Sequence, residues 1–194
     1  SILQEPSNTA IQSVALSENG EWAAVGPVSR GELAVYHLPT RQRILIPAGQ
    51  HGRLRMAFSP RAPLLAFTVV NPRPIAPPFV WTSRVLLWDL NERRVFRELG
   101  VQGTPDGLSF SEDGRTLVVG SGTWVGGADV NEVSVWRVED GSKIAGWKAG
   151  LSSFSVGSSW FAATRDASAA AVVAPGHKIR VIDLKTGGER WNVV

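Results

Sequence analysis

Met56-Ala57-Phe58-Ser59-Pro60, an apolar run over 64–70, Val85-Leu86-Leu87-Trp88-Asp89-Leu90 and a further run over 95–99 follow one another between Leu54 and Gly100. That order is a short strand, a turn, an apolar strand, a connection, a third strand, a polar turn and a fourth strand. It recurs three more times. Upstream, Val14-Ala15-Leu16-Ser17 leads through Trp22 to Val25, then to Leu33-Ala34-Val35-Tyr36-His37-Leu38 and Ile44-Leu45-Ile46. Downstream, Leu108-Ser109-Phe110-Ser111 leads to Val133-Ser134-Val135-Trp136-Arg137-Val138, and Phe161-Ala162-Ala163-Thr164 leads to Ile179-Arg180-Val181-Ile182-Asp183-Leu184.

Tyr36, Trp88, Trp136 and Ile182 occupy one repeat position, at intervals of 52, 48 and 46 residues. A four-stranded unit repeating at this length is the signature of a propeller blade. The third strands are nearly continuous apolar runs. A strand reads that way when both faces of its sheet are covered, as they are in a blade lying between two others. No segment carries a helical stripe, so the expected class is all-β.

The sequence around these strands resembles the WD40 family, through Phe58-Ser59-Pro60 and Phe110-Ser111-Glu112-Asp113-Gly114 after the first strand and Trp88-Asp89 closing the third. The resemblance implies four WD40-like blades, over about 11–49, 54–100, 105–149 and 158–194, belonging to a ring of six to eight. Residues 1–5 would be an orphan outer strand of a further blade. A blade cannot cover its own two faces, so further blades of the same chain or a second copy would close the ring. The family pins its strands with a buried His, Asp, Ser or Thr, and Trp tetrad; His51 and Trp88 match two of those roles, and Asp89 and Trp136 are expected to be structural with them. The last repeat, Asp183-Leu184-Lys185-Thr186-Gly187-Gly188-Glu189-Arg190-Trp191, also resembles the docking motif of quinoprotein propellers, which implies structural roles for Asp183 and Trp191.

Four hairpin turns join the first and second strands. Ser17-Glu18-Asn19-Gly20 and Ser111-Glu112-Asp113-Gly114 place Asn or Asp and then Gly where a tight turn needs positive φ. Ser59-Pro60-Arg61-Ala62 presets its turn with proline, and Thr164-Arg165-Asp166-Ala167 is the most degenerate copy. The second and third strands of the two middle repeats are joined by insertions, 71–84 and 120–132. Because successive strands alternate in direction, both insertions share the face that carries the connections between blades.

These insertions hold the candidate binding residues. The first contains four prolines with Phe79 and Trp81, a stiff segment able to present aromatic anchors, flanked by Arg73 and Arg84. The second is glycine-rich and carries Trp124. Asp129, Asn131 and Glu132 offer oxygen atoms but lack the spacing of a calcium loop, and no helix follows the glycines to cradle a phosphate. The expectation is a non-catalytic scaffold that docks a protein or peptide on this face through Arg73, Phe79, Trp81, Arg84 and Trp124.

Composition narrows the alternatives. The 194-residue chain has a net charge of +3 and no cysteine, which excludes disulfides and thiolate metal sites. Its arginines are spread over all four repeats among carboxylates, so a nucleic-acid stripe is not expected. No apolar run is long enough to cross a membrane as a helix. The three histidines fall at non-equivalent repeat positions, and no HExxH, GxSxG or P-loop pattern is present. Neither enzyme chemistry nor a cofactor is therefore expected, and the cytoplasm is the default compartment. The competing expectations are part of a quinoprotein-like redox propeller, or a sensor domain fused to a bacterial effector enzyme.

Overall fold

The computed structural model describes residues 11, 13–29, 31–49, 54–70, 82–125, 128–152, 161–174 and 178–193. They form sixteen strands in four antiparallel sheets, each built from four consecutive strands, and among the described residues there is no helix. Blade 1 contains β1 (Ser13–Leu16), β2 (Trp22–Ser29), β3 (Glu32–His37) and β4 (Gln42–Pro47). Blade 2 contains β5 (Met56–Phe58), β6 (Leu64–Val70), β7 (Thr82–Asp89) and β8 (Arg94–Gln102). Blade 3 contains β9 (Thr104–Phe110), β10 (Thr116–Val125), β11 (Ala128–Arg137) and β12 (Lys143–Ser152). Blade 4 contains β13 (Phe161–Ala163), β14 (Ala169–Ala174), β15 (Lys178–Asp183) and β16 (Glu189–Val193). The expected orphan strand 1–5 and His51 lie outside the described residues.

Side chains alternate between the two faces of each sheet, and in blades 2 and 3 each face belongs to a different core. In β6, Leu65 and Phe67 pack with Leu33, Val35 and Ile46 of blade 1, whereas Leu64 and Ala66 pack with Leu117, Val119 and Trp136 of blade 3. In β7, Leu86 and Trp88 turn towards blade 1, and Val85 and Leu87 towards blade 3. Blade 3 repeats the division: Leu117 and Val119 join the seam with blade 2, while Val118, Val133 and Val135 meet Ala170, Val172, Ile182 and Leu184 of blade 4. This division explains the unbroken apolar runs in the sequence. Burial at about 25 cal/mol per Å² is the main stabilising term for each seam.

The repeat position Trp88, Trp136 and Ile182 points to the preceding blade, and Tyr36 takes the equivalent face of blade 1. Trp88 lies against the core shared with blade 1, Trp136 in that shared with blade 2, and Ile182 in that shared with blade 3. Tyr36 is buried on the blade 1 face away from blade 2, with Ala34. Seam composition falls off along the arc: β6 contributes leucines and a phenylalanine, whereas β14 begins Ala169-Ala170-Ala171.

Two close approaches lock blade 4 onto blade 3. Gly107 and Gly120 are paired across β9 and β10, and Phe161 of β13 sits against both. A β-carbon built on Gly107 or Gly120 would lie 2.1 or 2.5 Å from that ring. The second approach is at Gly187 in the β15–β16 turn, where a built β-carbon would lie 1.9 Å from Nε1 of Trp147. Gly120 is thus a socket for an aromatic ring within a strand rather than the start of a loop.

The second insertion differs from expectation in the same way. Residues 120–132 are largely strand: β10 and β11 stay paired out to Val125↔Ala128, and β12 follows β11 as far as Asp129↔Ser152. β-branched and aromatic side chains at Thr123, Trp124, Val125 and Val130 favour this extension over a loop. In the first insertion, residues 82–84 are already part of β7, and 71–81 lie outside the described residues.

Gly187→Ala tests the blade 3–blade 4 lock. Gly187 has φ +74° and Trp147 above it, whereas Gly20 has φ +71° and nothing within 4 Å of a built β-carbon. Backbone strain alone predicts a loss of about 1–2 kcal/mol for Gly20→Ala. The clash with Trp147 adds about 1–3 kcal/mol for Gly187→Ala. Urea unfolding of the two variants measures the difference; equal losses would show that Trp147 does not press on this turn.

Candidate functional site

The two ends of the blades are chemically distinct. At one end lie the turns joining first to second and third to fourth strands, hereafter the turn face. In each first turn a hydroxyl replaces a missing backbone partner. Ser17 Oγ accepts from Trp22 N at 2.8 Å and donates to Asn19 Oδ1 at 2.7 Å. Ser111 Oγ accepts from Thr116 N at 3.0 Å and donates to Asp113 Oδ1 at 2.6 Å. Thr164 Oγ1 accepts from Ala169 N at 3.0 Å, and Ser59 Oγ from Ala62 N at 3.3 Å. One local solution therefore recurs in blades 1, 3 and 4, and in the proline turn of blade 2 the hydroxyl serves a nearer N–H.

These turns also link to one another around the axis. Arg61 Nε of blade 2 donates to the Glu112 carbonyl of blade 3 at 3.0 Å. Glu112 N donates to the Arg165 carbonyl of blade 4 at 2.6 Å. The Arg165 guanidinium pairs with the Glu18 carboxylate of blade 1. Blades 1 and 4, the two ends of the arc, thereby touch across the axis.

The opposite end, the loop face, carries the connections between second and third strands. Arg84 lies near the start of β7; its guanidinium reaches Glu98 Oε2 of β8 at 3.4 Å, and its Nε is buried without a hydrogen-bond partner. Trp124 pairs with Asp129 one step from the β10–β11 turn. Arg73, Phe79 and Trp81 lie outside the described residues. On the same side, the seam between blades 2 and 3 becomes polar beyond its apolar core. Thr68, Ser83, Asp106 and Ser121 are all buried there. Ser83 Oγ donates to the Gly103 carbonyl at 2.6 Å, and Arg55 Nε to the Asp106 carbonyl at 2.8 Å. Asp106 and Ser121 carried no sequence signal, because neither belongs to a motif.

The oxygen-bearing residues of the second insertion do not converge. Glu132 pairs with Lys143, and Asn131 is buried with both side-chain polar atoms unpaired, between Gly122 and Gly150 on the neighbouring strands. Among the described residues no group of three or more His, Asp or Glu side chains is placed to hold a metal, and no helix is long and apolar enough to cross a membrane.

The residues expected to be structural behave individually. Trp136 Nε1 donates to Ser134 Oγ at 2.8 Å, within the same strand. Trp88 has Leu86 at the corresponding position, and its buried Nε1 is unpaired. Asp89 and Asp183 play the same part in blades 2 and 4, accepting from Asn91 N and Glu92 N, and from Lys185 N and Thr186 N, at 2.8–2.9 Å. Asp183 also pairs with Arg190 at 2.6 Å. Trp191 is 69% exposed on β16, and the tryptophan seated on the Gly187 turn is Trp147.

Comparison with known proteins separates sequence from shape. No family model matches the sequence, and no curated protein matches it. By shape, 703 chains of solved structures match. Among them is Kuenenia stuttgartiensis hydrazine synthase, with a TM-score of 0.68 at 15% identity over 99% of this chain. The fold is a β-propeller. The match takes in 52% of the hydrazine synthase chain, so the present chain spans about half its length. At that identity the likeness is one of fold.

Two outcomes follow from this geometry. Trp136→Phe removes a satisfied buried hydrogen bond and is expected to cost about 1 kcal/mol more than Trp88→Phe, which removes an unpaired N–H; chemical denaturation of both variants decides this. The second outcome concerns acid. The Ser142 hydroxyl and backbone N–H hold the Asp140 carboxyl at about 2, the Thr164 hydroxyl and Ser168 N–H do the same for Asp166, and Arg190 with the turn N–H groups for Asp183. Depressed carboxyls contribute stability above their ordinary value of 3.8 and lose it as pH falls towards 2. Melting temperature should therefore drop between about pH 4 and pH 2, and a variant with all three changed to Asn should show a shallower drop; an unchanged slope would remove these turns from the acid response.

Proposed function

We propose that this propeller is a non-catalytic, WD40-like interaction scaffold whose loop face docks a protein or peptide. The observation that carries the reading is the edge of β10. β9 begins at Thr104, opposite Gly122, so residues 123–125 of β10 have β11 on one side and no β9 residue on the other. An extended peptide gains main-chain hydrogen bonds by lining such an edge, and nearby side chains then set its specificity. Trp124 stands on this edge. Arg73, Phe79 and Trp81 belong to the β6–β7 connection, which emerges on the same face, and Arg84 stands where that connection enters β7.

Charge favours a protein partner over nucleic acid. Arg84, Arg137, Arg165, Arg180 and Arg190 are each matched by a carboxylate. Phosphate binding needs a run of cations free to neutralise successive charges. Further blades of the same chain, or a second copy, complete the ring on either side of the arc.

Affinity selection from a random octapeptide library against the protein tests the loop face. Selected peptides should bind at least tenfold more weakly to a variant with Phe79, Trp81 and Trp124 all changed to Ala. Unchanged affinity for every selected peptide would overturn the assignment. A visible absorbance in the full-length protein would favour a redox propeller instead.

A further inference from the structure

One position on the fourth strand decides how tightly each blade meets the next at the turn face. It lies opposite Val35 in blade 1, Leu87 in blade 2, Val135 in blade 3 and Val181 in blade 4. The residues there are Ile44, Arg97, Ala145 and Trp191. Ile44 is buried in the seam between blades 1 and 2. Arg97 lies over the Phe96 ring and donates from Nε to the Glu139 carbonyl of blade 3 at 3.0 Å, filling the next junction. In blade 3 the position holds only a methyl group. Trp147, two residues further along β12, covers Gly187 but does not line the space in front of Ala145.

The result is a cleft of about 1080 Å³ between blades 3 and 4, open to solvent on the turn face. Its floor is apolar, formed by Val135, Ala145, Ala167 and Leu184. Ile144, 48% exposed, stands at its wall. Arg61, Arg115 and Lys185 stand on its rim together with Glu112, Asp113 and Asp166. These charges sum to zero, but their hydrogen-bonding capacity is unequal. Asp113 accepts from the Ser111 hydroxyl and Arg115 N, and Asp166 from Ser168 N, so both carboxylates are largely satisfied by their own turns. Among the described residues the Arg115 guanidinium accompanies the Asp113 carboxylate electrostatically but donates no hydrogen bond, the Lys185 ammonium donates none, and Arg61 uses Nε alone, on the Glu112 carbonyl. Among the described residues, Glu112 is the one rim carboxylate without such partners. Three cations with unused donors above an apolar floor call for an apolar group with an acceptor beside it.

We propose that this cleft is a second peptide site, which takes a bulky aromatic side chain into the space that Ala145 leaves and holds an adjacent acidic side chain with Arg115, Lys185 and Arg61. Volume favours a peptide over a small aromatic acid, because the cleft exceeds what one ring occupies and opens along the junction. The site is on the face opposite to the edge of β10, so the two do not share residues.

The same octapeptide selection tests it. Ala145→Trp restores the residue that blade 4 carries at this position and fills the cleft. A class of selected peptides with Trp, Tyr or Phe next to Asp or Glu should bind Ala145→Trp at least tenfold more weakly than wild type. That class should keep its affinity for the loop-face triple variant. The surface double variant Arg115→Glu, Lys185→Glu should weaken it as well, and provides the test if Ala145→Trp does not melt like wild type. Selection of no such class, or equal binding to wild type and to the folded variants, would overturn the second site while leaving the loop-face reading standing.

Discussion

A four-stranded blade has two apolar faces and no means of covering either. Every feature of this molecule follows from that constraint. Alternate residues of a strand must be apolar for one neighbour and the residues between them for the other, which is why 64–67 of β6 and 85–88 of β7 carry no polar side chain. Covering both faces forces the blades into a succession, and the succession leaves function to the two ends of the strands, where the chain reverses. The turns on one side are short and self-satisfied by Ser17, Ser59, Ser111 and Thr164. The connections on the other are free to lengthen without disturbing any seam.

The repeat was legible because it depends on pattern rather than on identity. Trp136 and Ile182 have little chemistry in common, yet both face the preceding blade, and the interval together with the apolar runs located the third strands. The hairpin turns were legible for a different reason, since Asn19-Gly20 and Asp113-Gly114 carry their backbone requirement in the residue type. What could not be read was where strands stop. Glycine usually marks a break, so 120–132 looked like a loop; here Gly120 makes room for Phe161, a residue about forty positions away that no local rule can anticipate. The same holds for Trp147. The motif in the last repeat drew attention to Trp191, but the partner of the Gly187 turn comes from the blade before it.

The candidate sites were legible in part. Arg84 and Trp124 lie on the face that the strand directions predicted, with Trp124 on a strand edge instead of a loop. The cleft beside Ala145 gave no signal, because alanine is unremarkable until it is aligned with Ile44, Arg97 and Trp191 through the strand register. A missing side chain becomes visible only against its counterparts.

The alanines of β14 give the arc a direction. Blade 2 is gripped from both sides by leucine, phenylalanine and valine, whereas blade 4 meets blade 3 through Ala163, Ala167 and Ala170 with fewer large groups. In an array where each unit is steadied by its neighbours, local opening begins where the coupling is weakest. The junction of blades 3 and 4 is accordingly the seam at which these four blades part first, and the Phe161 socket and the Trp147 contact are the two latches that hold it. The cleft at Ala145 lies in that same junction. A ligand bridging it would act as a third latch, so occupancy on the turn face would be felt as rigidity in blade 4.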